Sequence, residues 1–324
     1  MSNCKYAGKI KEFIPKLTPT LHKGQCGRIG IIGGSAEYTG APYFAAISAL
    51  KLGADLVYVF CCKEAGPVIK SYSPELIVLP ILDSGNVTEK IENWLTRLHA
   101  LVIGPGLGTK PELIKNVVNI IRLCNERSKL SVLPLIIDAD GLRIVNDNLD
   151  LIKKYHGPVI LTPNEVEFKR LSSKFSNTEA INVASSLNSV LIQKGSTDVI
   201  TNGINFDEFD FTFDDVTITC ETFGSNRRCG GQGDILSGCI ATFVAWFELF
   251  KSNNTFIIPL SSVSDKDKLN WFKENLGGYS LGCYGACAVT KTCSKLAFQK
   301  FGRSMTASDM IGCIHQSFTS LFGS

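Results

Sequence analysis

The chain has 324 residues, 44% of them hydrophobic and 19% charged, enough apolar material for a large buried core and no match for a disordered or fibrous protein. The formal net charge is +3, with Lys and Arg scattered rather than blocked, so small-molecule partners are expected and nucleic acid is not. Twelve dispersed cysteines lack the paired C-x-x-C units of a zinc site and read as reduced, buried thiols.

The N-terminal stretch sets Lys5, Lys9, Lys11 and Lys16 against the single acid Glu12. It has no apolar segment followed by a cleavage site, so secretion is not expected. Its lack of Arg favours the cytoplasm over a mitochondrial presequence, which stays open. No uninterrupted apolar run reaches the roughly 18 residues that span a bilayer. Residues 235–250 are broken by Ser237, Gly238, Thr242 and Glu248 and read as the core helix of a soluble protein with no membrane partner.

Short β-branched runs recur at 29–32, 56–60, 76–79, 100–103, 135–137, 159–161 and 190–192. Residues 42–52 and 111–122 have helical periodicity, each with a proline near the start, where its missing N–H costs nothing. This alternation predicts an α/β fold with a mostly parallel central sheet covered by helices on both faces. Ligands of such sheets lie outside the carboxyl ends of the strands. Polar and glycine residues follow five of the runs: Gly33-Gly34-Ser35, residues 104–108, Asp138-Ala139-Asp140-Gly141, Thr162-Pro163-Asn164 and Lys194-Gly195.

Residues 205–222 are polar and aromatic and fit an antiparallel edge hairpin, or two short strands ending near Cys220. Residues 251–275 break the helical pattern and read as a surface insertion. Helices are expected again over 277–301 and 308–318, the latter capped by Thr306 with Asp309 three residues on.

Between these lies the segment that carries most chemistry, Gly230-Gly231-Gln232-Gly233-Asp234, which runs directly into an apolar helix. Residues without side chains let successive N–H groups face one concavity, and the helix N-terminus adds partial positive charge, so the turn can hold an anion without a lysine. Asp234 is then either a base beside that anion or a carboxylate favoured at a helix start. No Lys-Ser or Lys-Thr follows the glycines, and Gly30-Ile31-Ile32-Gly33-Gly34 does not fit G-x-G-x-x-G, so neither a P-loop nor a Rossmann fingerprint is present.

The turn, together with Asn164-Glu165-Val166-Glu167 and Lys194-Gly195-Ser196-Thr197-Asp198, resembles the ribokinase-like superfamily. Within it, the blocks at 22–35, 40–42, 104–108, 138–142 and 161–164 are similar to the ATP-dependent (S)-NAD(P)H-hydrate dehydratases. The resemblance runs from about Phe13 to the C-terminus and implies a single three-layer α/β/α ribokinase-like domain over residues 1–324. It also implies an activity, ATP-dependent dehydration of the S form of hydrated NADH or NADPH, with Mg2+ as cofactor.

In that reading Asp234 is the catalytic base and also touches the substrate. ATP is held by Lys194, Gly195, Ser196, Thr197 and Asp198, and by Gly224, Ser225, Asn226, Arg227, Arg228, Cys229, Gly230, Gly231, Gln232 and Gly233. The hydrated dinucleotide is held by Gly106, Asn164, Glu165, Val166, Glu167, Phe168, Lys169 and Arg170. Magnesium is organised by Asn164 and Glu167, through water. The residues by themselves leave alternatives open. Asn164 and Glu167 also spell a helix capping box, residues 194–198 a solvated turn, and Arg227-Arg228 a solvated pair. Tyr38 and Tyr43 could face the nicotinamide or belong to the core, and His22 could bind phosphate or be structural. A kinase of the same fold and a catalytically silent nucleotide-binding protein are the rival functions. The choice between NADH and NADPH hydrates, ADP as an alternative donor, and a monomer or homo-oligomer are left open.

Overall fold

The computed structural model describes residues 4–128, 132–204, 217–254 and 265–323. The seven apolar runs form seven parallel strands: β1 Arg28–Ile32, β2 Leu56–Cys61, β3 Ile77–Pro80, β4 Ala100–Ile103, β5 Leu135–Ile137, β6 Val159–Leu161 and β7 Val190–Gln193. In β4, β5 and β6 every residue is buried. Successive strand side chains point to opposite faces, so helices cover both, which is the three-layer arrangement.

Two more strands extend the sheet, β8 Asp198–Asn202 antiparallel to β7 and β9 Thr217–Cys220 antiparallel to β8, giving the order β3-β2-β1-β4-β5-β6-β7-β8-β9. The pattern reading predicted β9 only as the end of a hairpin and missed β8, whose Asp198, Thr201 and Asn202 hide its apolar alternation although all three are buried. The rest of the expected hairpin, residues 205–216, lies outside the described residues.

Strand order reverses between β1 and β4, the point at which open α/β sheets leave a crevice beyond their carboxyl ends. Glycines let the two loops close on each other there. The Gly34 N–H donates to Pro105 O at 3.0 Å, and a Cβ on Gly33 would sit 2.1 Å from that same oxygen.

The helices Gly40–Leu52 and Gln232–Asn254 pack together, and the latter lies along β1, β4 and β5. By length and composition, residues Gln232–Ser252 could cross a membrane, contrary to the run-length expectation, but 72% of that window is buried inside the protein. Pro42 falls in the first turn of its helix, and Pro111 opens the helix Pro111–Ser128.

The expected excursion over 251–275 is narrower in the structure. One helix reaches Asn254 and the next, Asp265–Phe301, starts twelve residues before its predicted beginning. Residues 255–264 lie outside the described residues. The last segment forms two helices, Ala307–Ile311 and Ile314–Phe322, rather than one, and the N–H and hydroxyl of Thr306 both donate to Asp309 Oδ2 at 2.8 Å. At the other end, the helix Ala7–Phe13 buries Ile10 and sets Phe13 5.6 Å from Phe247.

Candidate active site

Three consecutive strand ends and one helix start build the site. At the end of β5, Asp138 is 2% exposed. The next residue, Ala139, holds φ 48 and ψ −121, a region disfavoured for a residue with a Cβ, and a turn closes with the Gly141 N–H on Asp138 O at 2.9 Å. Only glycine fits opposite this turn: a Cβ on Gly104, itself at φ +133, would lie 1.7 Å from Asp138 O. Residues that look like loop punctuation in the sequence therefore fix the carboxylate of Asp138.

The Thr162 hydroxyl, just after β6, donates to Asp138 Oδ1 at 2.8 Å, and Lys194 Nζ, just after β7, reaches the same oxygen at 2.9 Å. The Lys194 N–H also donates to Pro163 O at 3.0 Å, which ties the β6 and β7 loops together. Burial by itself pulls the Lys194 ammonium down. Asp138, Glu167 and Asp234 more than reverse this, and the group sits above the ordinary lysine value.

The glycine turn arrives from the other side. Gly231 is at φ +91, packed on Phe44 and Ala307, and the helix begins at Gln232. Ile235 is the first residue whose N–H is satisfied by the turn, on Gly231 O at 3.0 Å. Among the described residues the N–H groups of Gly231, Gln232, Gly233 and Asp234 have no protein acceptor. The Gln232 side chain stitches the preceding loop, donating to Arg227 O at 3.1 Å and to Cys229 Sγ at 3.4 Å. A Cβ on Gly233 would lie 3.6 Å from Lys194 Nζ and 3.7 Å from Asp138 Oδ2, so the unpaired donors, the ammonium and the buried carboxylate face one another. Burial raises the Asp234 carboxyl, the Asp138 carboxylate adds to the rise and Lys194 opposes it, leaving the group pushed up to about 7. A carboxyl that titrates there can hold and release a proton near neutrality.

Asn164 and Glu167 form the capping box allowed by the sequence. Asn164 Oδ1 accepts from the N–H groups of Val166 at 3.0 Å and Glu167 at 2.9 Å, and the Asn164 N–H donates to Glu167 Oε2 at 2.8 Å. The cap and a metal role are compatible at Glu167. The cap orients its carboxylate 3.9 Å from Lys194 and leaves Oε1 without a partner among the described residues, whereas Asn164 Oδ1 is filled by its two donors. Among the described residues no group of three or more His, Cys, Asp or Glu is arranged to hold an ion. These residues fit a magnesium ion that keeps most of its waters and rides on nucleotide phosphates.

The other expected residues are distributed around this centre. Gly106, at φ +63, lies against Tyr38, a residue 57% exposed, on the β1–β4 side of the crevice. Tyr43 packs on Phe44 and Tyr72 at ring distances of 5.7 and 5.2 Å. A recess of about 260 Å³ beside Glu167 is lined by Asp140, Arg143, Asn146, Pro163 and Arg170 among others. On the helix Glu165–Ser172, Lys169 pairs with Glu165 at 2.9 Å, Val166 is exposed and Phe168 packs toward the core. Asn226, Arg227 and Arg228 are exposed on the rim, and His22 sits in an exposed turn closed by its N–H on Gln25 Oε1 at 2.6 Å.

Two residues of this neighbourhood were not singled out by sequence. Asp138 was visible as part of a polar strand end and of the block 138–142, with no role of its own. Lys291 carried no local signal: it lies in the middle of the helix Asp265–Phe301, and its ammonium reaches back to Gly195, Ser196 and Asp198.

Comparison with known proteins agrees with this geometry. The family model described as NAD(P)H-hydrate dehydratase matches residues 29–316. The chain belongs to the NAD(P)H-hydrate dehydratase family. Among curated members, it is 93% identical to the ATP-dependent (S)-NAD(P)H-hydrate dehydratase of Pediculus humanus subsp. corporis over the whole of both chains. It is 45% identical to the protein of that name from Mus musculus, over 97% of this chain and 84% of the mouse protein. In fold it is similar to the ADP/ATP-dependent NAD(P)H-hydrate dehydratase of Bacillus subtilis co-crystallized with ATP/Mg2+, at TM-score 0.67 and 20% identity over 97% of each chain. A ribokinase-like protein of Enterococcus faecalis gives the same TM-score at 18% identity, over 98% of this chain and 95% of the other.

Proposed function

We propose that this member of the NAD(P)H-hydrate dehydratase family uses ATP to dehydrate the S form of hydrated NADH and NADPH, regenerating the reduced cofactor with ADP and phosphate. The observation that carries the reading is the meeting of an unpaired N–H turn with a carboxyl titrating near neutrality, at Gly231 to Asp234.

The chemistry needs this arrangement because hydroxide is a poor leaving group. Asp234 takes the proton of the C6 hydroxyl as that oxygen attacks the γ-phosphorus, and the bond to the ADP oxygen breaks. The N–H groups of Gly231, Gln232 and Gly233 stabilise negative charge on the transferring group, and Lys194 adds its ammonium. The ring nitrogen lone pair then expels phosphate with the C6–O bonding pair, and loss of a proton from C5 restores the dihydropyridine. Residues 194–198 and 224–233 bind ATP, while Gly106 and residues 164–170 bind the hydrate. Glu167, oriented by Asn164, would hold magnesium through water, and the ion would supply charge neutralisation at the phosphates.

The reading includes a single domain in the cytoplasm. Burial of Ile10 and Phe13 supports the single domain, since the lysine-rich N-terminal segment packs into the same core as the C-terminal helices.

The test is purified protein with hydrated NADH, ATP and magnesium. Recovery of the near-ultraviolet absorbance of reduced nicotinamide, in step with ADP release and dependent on all three, is the expected result. Accumulation of a phosphorylated product without that recovery would instead establish a kinase.

A further inference from the structure

The long C-terminal helix Asp265–Phe301 supplies no group to the proposed chemistry, yet the turn that carries Lys291 is built around both proposed nucleotide segments. Lys291 Nζ donates to Gly195 O and to Ser196 O, each at 2.8 Å, and lies 3.3 Å from Asp198 Oδ2. The Lys291 side chain is 13% exposed and that of Asp198 7%. An ammonium has three N–H donors, and here three oxygens surround it. Asp198 closes the turn from inside, accepting the Gly195 N–H on Oδ1 at 2.9 Å. One helical turn further on, Ser294 Oγ is 2.8 Å from Ser225 Oγ, and a Cβ on Gly224 would rest 3.4 Å from Lys291 O.

We propose that Lys291 is a positioning residue for the nucleotide, holding the turn at 194–198 so that its backbone N–H groups are presented to ATP. The geometry of the peptide unit carries the argument. No peptide bond among the described residues is cis, so each carbonyl points opposite to the N–H of the same plane. Drawing Gly195 O and Ser196 O onto Lys291 therefore turns the N–H groups of Ser196 and Thr197 away from it. Both residues are exposed, and among the described residues neither N–H has a protein acceptor. Charge-assisted bonds to a fixed ammonium hold such a turn more firmly than solvent would. The neighbouring Lys194 is thereby anchored at both ends, by this turn and by Asp138.

The inference rests on reading residues 194–198 as a nucleotide segment, and the experiment separates the two. Hydrogen exchange of the wild type with and without a non-hydrolysable ATP analogue tests the segment: protection of residues 195–198 is expected, and its absence overturns both the segment reading and the inference. ATP saturation kinetics of Lys291→Met and Lys291→Gln test the lysine. Lys291→Met is expected to raise KM for ATP roughly ten-fold, a loss on the scale of one charge-assisted hydrogen bond, with a smaller change in kcat and in KM for the hydrate. Lys291→Gln, which keeps one donor group and secures a folded comparison, is expected to fall between Lys291→Met and the wild type. Protection in the wild type combined with an unchanged KM for ATP in either folded variant overturns the role of Lys291 alone. A uniform loss of kcat and of thermal stability without a selective ATP effect also overturns it, because that is the signature of a purely structural lysine.

Discussion

Asp138 and Lys194 form an ion pair of 2.9 Å, with the carboxylate side chain 3% exposed and the ammonium side chain 19% exposed, and the pair faces the glycine turn that leads to Asp234. Asp138 thus does two things at once. It holds the lysine in front of the glycine turn, and its charge helps keep the Asp234 carboxyl protonated up to about 7. Asp138→Asn removes a negative neighbour and frees Lys194, so Asp234 ionises more easily. The acidic limb of the kcat profile is expected to move to lower pH, while maximal turnover falls because Lys194 is no longer fixed. A pH-rate profile of the variant checks this, and an unmoved limb would detach Asp138 from the base.

Asp234 itself couples activity to pH and to stability with opposite signs. As a base it must be ionised, so wild-type turnover is expected to fall as pH drops through about 7. For stability, the folded-state carboxyl is raised above its unfolded value. Its favourable contribution is full below the unfolded pKa and is lost as pH rises through about 7. Asp234→Asn is therefore expected to lower kcat by about 100-fold or more while retaining nucleotide binding. It should also raise stability above neutral pH by on the order of 2 kcal/mol, because the partly desolvated charge is gone. Thermal melts at pH 5 and pH 8 read the difference, which should be smaller at the lower pH.

Gly231 and Gly230 are adjacent but are predicted to respond differently to alanine. At Gly231 the backbone is at φ +91, and a Cβ would meet Ala307 at 2.7 Å and Phe44 at 2.8 Å, whereas at Gly230 nothing lies within 4 Å. Gly231→Ala is expected to cost about 1–3 kcal/mol and to weaken ATP binding by displacing the donor turn. Gly230→Ala should leave stability within about 0.5 kcal/mol. Denaturant unfolding of the two variants makes the comparison.

Glu167→Gln separates the cap from the metal. Glutamine retains an acceptor for the Asn164 N–H, so the helix Glu165–Ser172 should stay capped and the melting temperature nearly unchanged. The lost charge is expected to raise the magnesium concentration needed for half-maximal activity several-fold, roughly what one carboxylate contact through water contributes. An unaltered magnesium titration would leave Glu167 a cap and nothing more.

The seven parallel strands were legible because they read as continuous apolar runs, fully buried in β4, β5 and β6 and partly so at the edge strand β3. β8 was not, because its polar residues are satisfied inside the sheet instead of marking a loop. The glycine turn was readable for its composition, and Asn164 with Glu167 for their spacing. The sequence could not choose between cap and metal site, and the structure has the cap in place while leaving one carboxylate oxygen open. Asp138 and Lys291 escaped notice for a common reason. Their roles depend on partners 56 and 96 residues away in the chain, Lys194 and Gly195, and no local pattern records such a contact. The early start of the helix at Asp265 was missed because it opens on the charged run Asp265-Lys266-Asp267-Lys268, which reads as a solvated loop.

Gly238 touches Ala45 so closely that a Cβ there would lie 2.1 Å from the Ala45 carbonyl oxygen, one helical turn beyond Asp234. The helix Gln232–Asn254 is thereby blocked from sliding along its axis at a point deep in the core. Its first turn carries Asp234 and the unpaired N–H groups of Gln232 and Gly233, so any shift of that axis would carry them together out of register with Lys194 and Asp138. Bulk added at this contact should therefore behave as a catalytic lesion in a protein that still folds, and a screen for lost activity would find residues 45 and 238 alongside residues that touch the ligands.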